Sequence, residues 1–288
     1  MTNEITVAHS PDADDAFMFY ALANNLLDTQ GLTVHQELKD IQSLNKDAMN
    51  GKYEVSAISF AAYPYIQDKY KLMPVGASMG NNYGPVVISK NKMTAEDLKT
   101  CSLAIPGELT TAYLALRLFE DDLNYAKIQA VPFDQIVDLV REGKFDAGVI
   151  IHESQLTYEQ EGVHKVVDLG EWWTTLTGLP LPLGGNVVRK DLDEKTVVLA
   201  TKLMKETIEY SLSHREEALK YALQFARNLE GKTELADKFV GMYVNELTID
   251  YGDSGRKALT KLFEMANEKG LYAKPVRPEF VIPDTVTV

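Results

Sequence analysis

The sequence holds one cysteine, Cys101, among 288 residues. That scarcity excludes an internal disulfide and any cysteine-built zinc or iron–sulfur cluster, and it fits a reducing compartment. Positive charge is also in deficit: 29 Lys and Arg against 42 Asp and Glu leave a net charge of −13. Such a chain repels nucleic acid and anionic membranes, and no basic block offsets the repulsion locally. No apolar run approaches the roughly 18 residues that a spanning helix needs. The opening MTNEITVAHSPDADD has neither the basic start nor the apolar stretch of an export signal, so a cytoplasmic location is expected. A glycine-rich dinucleotide fingerprint, a Walker loop, HExxH and GxSxG are all missing, which leaves a nucleotide cofactor, zinc hydrolysis and a serine nucleophile without support.

What remains is ordinary globular material, 45% hydrophobic and 25% charged, long enough for two lobes. Apolar runs at 4–9, 32–38 and 54–59 read as strands, separated by helical periodicity at 13–27 and 41–50. After GPVVISKN, TAED caps a short turn of helix through Thr94 and Asp97. The alternation then restarts with CSLAIP, TTAYLALRLFEDD, KIQAVP, FDQIVDLVREG and FDAGVIIH. The halves are near-copies in places: NGKYEVSAISF parallels EGKFDAGVIIH, and SPDADDAFMFYAL loosely parallels IPGELTTAYLAL. One long-spaced copy indicates duplicated lobes rather than a solenoid. Beyond LPLPLGGNVVRKD the chain is helical, with Ser213 a candidate cap and Gly270 a terminator. The expected architecture is α/β and two-lobed. Residues 1–88 and 186–288 form one lobe and 89–185 the other, with crossing strands near 85–90 and 185–189 and a cleft between.

Ligands of open α/β sheets bind beyond the carboxyl ends of the strands. His152 ends the run AGVIIH at such a position, and Ser59 matches it in the other lobe. His9, at the end of the first strand, meets the same geometric test. Asp12, Asp14 and Asp15 invite a metal reading, but a calcium loop counted from Asp12 would need glycine and an acid where Phe17 and Ala23 stand. The three acids are expected instead to cap the helix that follows, with a polar contact to ligand as the remaining possibility, and no metal site is expected. In PGELTTAY, Thr110 and Thr111 open a helix whose free N–H groups suit a carboxylate, or they serve simply as its cap. Asn45 and Ser59 add neutral hydrogen-bonding groups.

Taken together and in order, HSPDADDAFMFYAL, SAISFAAYPYI, GVIIHESQLTY and TGLPLPLGGNVV resemble the 1,4-dihydroxy-6-naphthoate synthase family of the futalosine route to menaquinone. The resemblance implies a type II periplasmic-binding-protein-like fold turned into a cofactor-independent lyase. Its substrate would be the carboxylate cyclic dehypoxanthine futalosine, its products 1,4-dihydroxy-6-naphthoate and dihydroxyacetone. By the same resemblance His152 is the catalytic histidine, and Asn45, Ala57, Ile58, Ser59, Thr110 and Thr111 are substrate-binding. The opening loop departs from the cysteine- and asparagine-bearing version of some relatives by carrying Asp12 to Asp15. Chorismate dehydratase of the same pathway and a non-catalytic solute-binding protein stay open as alternatives; an effector-binding regulator is opposed by the charge and by the lack of a DNA-reading element.

Overall fold

Strand β1 (Glu4–His9) becomes fully buried toward its carboxyl end and pairs in parallel with β2 (Thr33–Leu38) and β3 (Val55–Ser59). All five residues of β3 are buried, as befits a central strand covered on both faces. The computed structural model describes residues 4–226 and 232–282. Short strands β4 (Tyr70–Leu72) and β5 (Ser78–Gly80) complete the first pass through this sheet. The chain then builds a second sheet from β6 (Val86–Ser89), β7 (Leu103–Ile105), β8 (Ile128–Ala130), β9 (Ala147–Ile150) and β10 (His164–Asp168). It returns through β11 (Leu181–Arg189), antiparallel to β3, β4 and β5. The sheet orders are β2-β1-β3-β11-β4, with β5 beside β11, and β10-β6-β9-β7-β8.

The two passages between sheets differ from the expected crossing strands at 85–90 and 185–189. Residues 86–89 lie wholly in the second sheet, and β11 joins the first sheet from Leu181 onward. The chain crosses at 81–85 and again through the helix Leu169–Thr177, an element the periodicity of the sequence did not reveal. Asp168 caps that helix by accepting from Gly170 and Glu171 N–H, and Gly178, at φ +70°, closes it. The two crossings are tied together: Leu169 N–H donates to Pro85 O at 2.9 Å, and Asn82 N–H to Thr174 Oγ1 at 3.1 Å. Trp173 is fully buried beneath them, its indole N–H donating to Pro180 O.

The helical remainder covers the first lobe. Helices Glu194–Ser213, Arg215–Ala222 and Thr233–Tyr243 pack around Ala13–Met18, whereas Gly252–Glu268 lies on β11 and reaches the helix Thr111–Phe119. Ser213 does not cap the second of these; its hydroxyl donates back to Tyr210 O, and His214 takes the cap position. Gly270, at φ +66°, ends the long helix as expected. Helix 13–27 proves to be two short pieces, Ala13–Met18 and Tyr20–Ala23, broken at Phe19. Among the described residues no helix is long and apolar enough to cross a membrane.

The crossings approach so closely that a side chain at Gly170 has no room. A Cβ there would stand 2.0 Å from the backbone of Tyr83 and 2.5 Å from Gly84 N. Gly170→Ala is therefore expected to destabilise the protein by about 1–3 kcal/mol, the range for overpacking, read as a lowered melting temperature. An unchanged melting temperature would contradict the tight crossing.

Candidate active site

A cleft runs between the two sheets and encloses about 760 Å³ counted with its open mouth. The carboxyl end of β3 supplies Ala57, Ile58 and Ser59 to one wall, and Leu183 to Asn186 of β11 extend it. Thr110, Thr111 and His152 face them from the other lobe. The sequence-derived set thus converges, with one displacement. Asn45 is buried behind the wall rather than in it. Its amide accepts from Ser59 N–H at 2.8 Å and donates to Ser59 Oγ at 3.0 Å and, across the cleft, to Leu109 O at 3.3 Å. Asn45 therefore fixes Ser59 and the loop before Thr110.

Both threonine hydroxyls are engaged by the protein. Thr110 caps the helix Thr111–Phe119 by accepting from Tyr113 N–H at 3.3 Å, and it donates to Gly107 O at 2.7 Å. Thr111 Oγ1 accepts from Ala61 N–H at 3.1 Å and donates to Leu183 O at 2.6 Å, bridging the lobes. What the helix start offers a ligand is consequently its first-turn N–H groups and dipole, which have no acceptor within the helix. Gly107, at φ +156°, is required here because a Cβ would meet the Gln42 side chain, whose Oε1 accepts from Leu109 N–H.

His152 lies two residues beyond β9 with φ +56°, a left-handed conformation that histidine and asparagine tolerate better than most side chains. Its side chain is 16% exposed, and its Nδ1 stands 3.2 Å from Asp12 Oδ2. The ring packs against Phe133 with centroids 4.6 Å apart. His9, its rival in sequence, faces elsewhere: it is buried, stacks on Phe19 at 4.0 Å, and its ring nitrogens meet Ser10 O and Gln36 Oε1. Burial pushes the His9 imidazole below its ordinary pKa. It is a core histidine.

The opening loop does more than cap. Asp12 accepts from Asp15 N–H as the helix cap, as expected, and it also reaches His152. Asp14 and Asp15 are buried and border the cleft. Burial foremost, then the charges of Asp12 and Asp15, push the Asp14 carboxyl well above the usual carboxylate range. Burial and then Asp12 raise Asp15 as well, partly opposed by its bond from Ser10 N–H. No lysine or arginine lines the cleft among the described residues. Shifted in this direction, both carboxyls favour their neutral forms more than exposed aspartates do.

Sequence reasoning also missed Asn186, Gln155 and Tyr243. Asn186 is buried and donates to Gly76 O at 2.9 Å, while its Oδ1 has no hydrogen-bond partner among the described residues. Tyr243, whose hydroxyl burial raises well above its ordinary pKa and so keeps a donor, bonds Gln155 Oε1 at 2.7 Å across the cleft. The string LGGNVV was visible, but nothing in it distinguishes a ligand-facing asparagine from a structural one. Asp12, Asp14 and His152 each offer one ligand atom within 4.8 Å of the others, a donor set able to hold a divalent cation that chain spacing alone did not disclose.

A two-lobed α/β chain whose cleft is bridged by hydrogen bonds, with a largely buried histidine and carboxyls on its walls, has the periplasmic-binding-protein-like fold. The alkanesulfonate-binding protein SsuA from Xanthomonas axonopodis pv. citri shares this fold at a TM-score of 0.68 with 11% identity, over 96% of each chain. Within that class the chain belongs to the family described as menaquinone biosynthesis, which it matches over residues 5–268. It is 35% identical over 277 residues to the 1,4-dihydroxy-6-naphtoate synthase of Thermus thermophilus, covering 96% of this chain and 99% of that one. A crystal structure of a protein from Archaeoglobus fulgidus superposes with a TM-score of 0.88 and 42% identity, over 94% of this chain and 99% of the other.

The raised carboxyl of Asp14 has a thermodynamic consequence. A group that holds its proton more tightly when folded adds stability at low pH and loses that contribution as pH climbs from its unfolded to its folded pKa. Asn mimics the protonated acid and does not titrate. Asp14→Asn should therefore match the wild type in melting temperature in acid and exceed it increasingly as pH rises above the ordinary aspartate range. A difference that stays constant with pH would contradict the buried, proton-holding state.

Proposed function

We propose that this chain cleaves a carbon–carbon bond of cyclic dehypoxanthine futalosine, giving 1,4-dihydroxy-6-naphthoate and dihydroxyacetone, with His152 as general base. The observation that carries the reading is the placement of His152 in the cleft, against Asp12 and Phe133, in a chain of the menaquinone biosynthesis family. That the Thermus thermophilus relative is a 1,4-dihydroxy-6-naphtoate synthase supports the product. Aromatisation of the ring left behind provides much of the driving force, so the protein has to supply a base of near-neutral pKa and a dry, oriented pocket. Histidine is the side chain suited to the first task.

The substrate carboxylate is received by the N-terminal N–H groups of helix Thr111–Phe119, the local attraction available in a chain of net charge −13. Ser59, held by Asn45, and Asn186 provide neutral hydrogen bonds on the opposite wall. The upward shift of Asp14 and Asp15 favours their neutral forms and so lessens the repulsion that ionised carboxylates would exert on the bound carboxylate. The reaction requires no cofactor and belongs in the cytoplasm.

The test is product formation. Metal-stripped protein incubated with the cyclic futalosine derivative should yield the dihydroxynaphthoate and dihydroxyacetone in equal amounts by mass spectrometry, and should leave chorismate unchanged. No naphthoate under these conditions would refute the reading, and conversion of chorismate would replace it with the dehydratase. Turnover should fall on acidification as the base protonates. On the alkaline side KM should rise as Asp14 and Asp15 lose their protons beside the substrate anion.

A further inference from the structure

The Asp12 carboxyl divides its two oxygens between the lobes. Oδ1 accepts from Asp15 N–H at 3.3 Å and starts the helix Ala13–Met18 in the first lobe. Oδ2 lies 3.2 Å from Nδ1 of His152 in the second. Only 7% of the Asp12 side chain and 16% of the His152 side chain are exposed, so the contact sits where a fixed charge or dipole acts more strongly than in water. Phe133 packs against the imidazole, and the left-handed backbone at His152 sets the direction in which the side chain leaves the main chain. Backbone, aromatic neighbour and carboxyl together leave the ring little freedom. The capping role of Asp12 needs only one of its oxygens and does not account for the second contact.

We propose that Asp12 is a positioning residue: from across the cleft it holds the Nδ1 edge of His152, so that the ring proton resides on Nδ1 and Nε2 is the basic nitrogen. The inference rests on the reading of His152 as the base. An imidazole whose Nδ1–H faces a carboxyl oxygen carries its basic lone pair on Nε2. Because the two residues ride on different lobes, the contact that orients the ring depends on the lobes being held together.

Asp12→Asn separates the two duties. Asparagine is as good a helix cap as aspartate, so its side-chain oxygen keeps the helix start. Its amide N–H₂ then stands where Oδ2 was and donates to Nδ1 of His152, which drives the ring proton to Nε2. In ¹⁵N-histidine-labelled protein the His152 ring signals should switch from the Nδ1–H to the Nε2–H pattern. The value of kcat should fall about 10²- to 10⁴-fold, the range for a lost or mis-tautomerised base, with KM moving far less. Asp12→Ser, a cap with no second oxygen, should lower kcat and leave a mixture of tautomers. Unchanged ring signals in a folded Asp12→Asn protein would overturn the proposal. Switched signals with wild-type turnover would uphold the hold of Asp12 on the ring while refuting His152 as the base, so the two readings fail separately.

Discussion

A carboxyl group taken out of water must be paired, hydrogen-bonded or protonated, and this cleft withdraws three of them with no lysine or arginine on its walls among the described residues. The rest of the site follows from how that debt is met. Asp12 meets it with a helix N–H and the His152 ring, Asp15 with the Ser10 N–H, and Asp14 with a carboxyl that burial and its acidic neighbours push well above the usual carboxylate range. Much of the acidity of the wall is thereby offset within the protein. What the cleft offers an anion is helix N–H groups and amides rather than fixed positive charge.

The same wall explains why closure and chemistry belong together. Thr111 to Leu183 O, Asn45 to Leu109 O, Gln42 to Leu109 N–H and Tyr243 to Gln155 all span the lobes. Each is a polar tie at the border of the cleft between the lobes. The same meeting of the lobes brings the Asp12 carboxyl of one to the His152 imidazole of the other.

Much of this was legible in the chain. Period-two alternation located β1, β2, β3 and β9 to within a residue or two, because each buries one face or both over several residues. Strands β4 and β5, three residues each, are too short to carry a period, and β10 with the helix after it was hidden in HKVVDLGEWW, where one element runs into the next. His152, Ser59, Thr110 and Thr111 were found because they end strands or begin a helix, positions that local patterns mark. The Asp12–His152 contact could not be read, since it joins opposite halves of the sequence and arises only when the lobes meet. Asn45 was found for its chemistry but misplaced by one layer, because sequence gives the polarity of a residue and not which side of a wall it occupies.

The central claim is that His152 does chemistry rather than support. The most direct measurement is the single-turnover rate and the ligand affinity of His152→Asn, taken on one folded sample. Asparagine accepts the left-handed backbone at this position, so the fold should survive the exchange. The account predicts a rate lowered about 10²- to 10⁴-fold with affinity close to that of the wild type. A rate near that of the wild type, or a loss confined to stability, would contradict it.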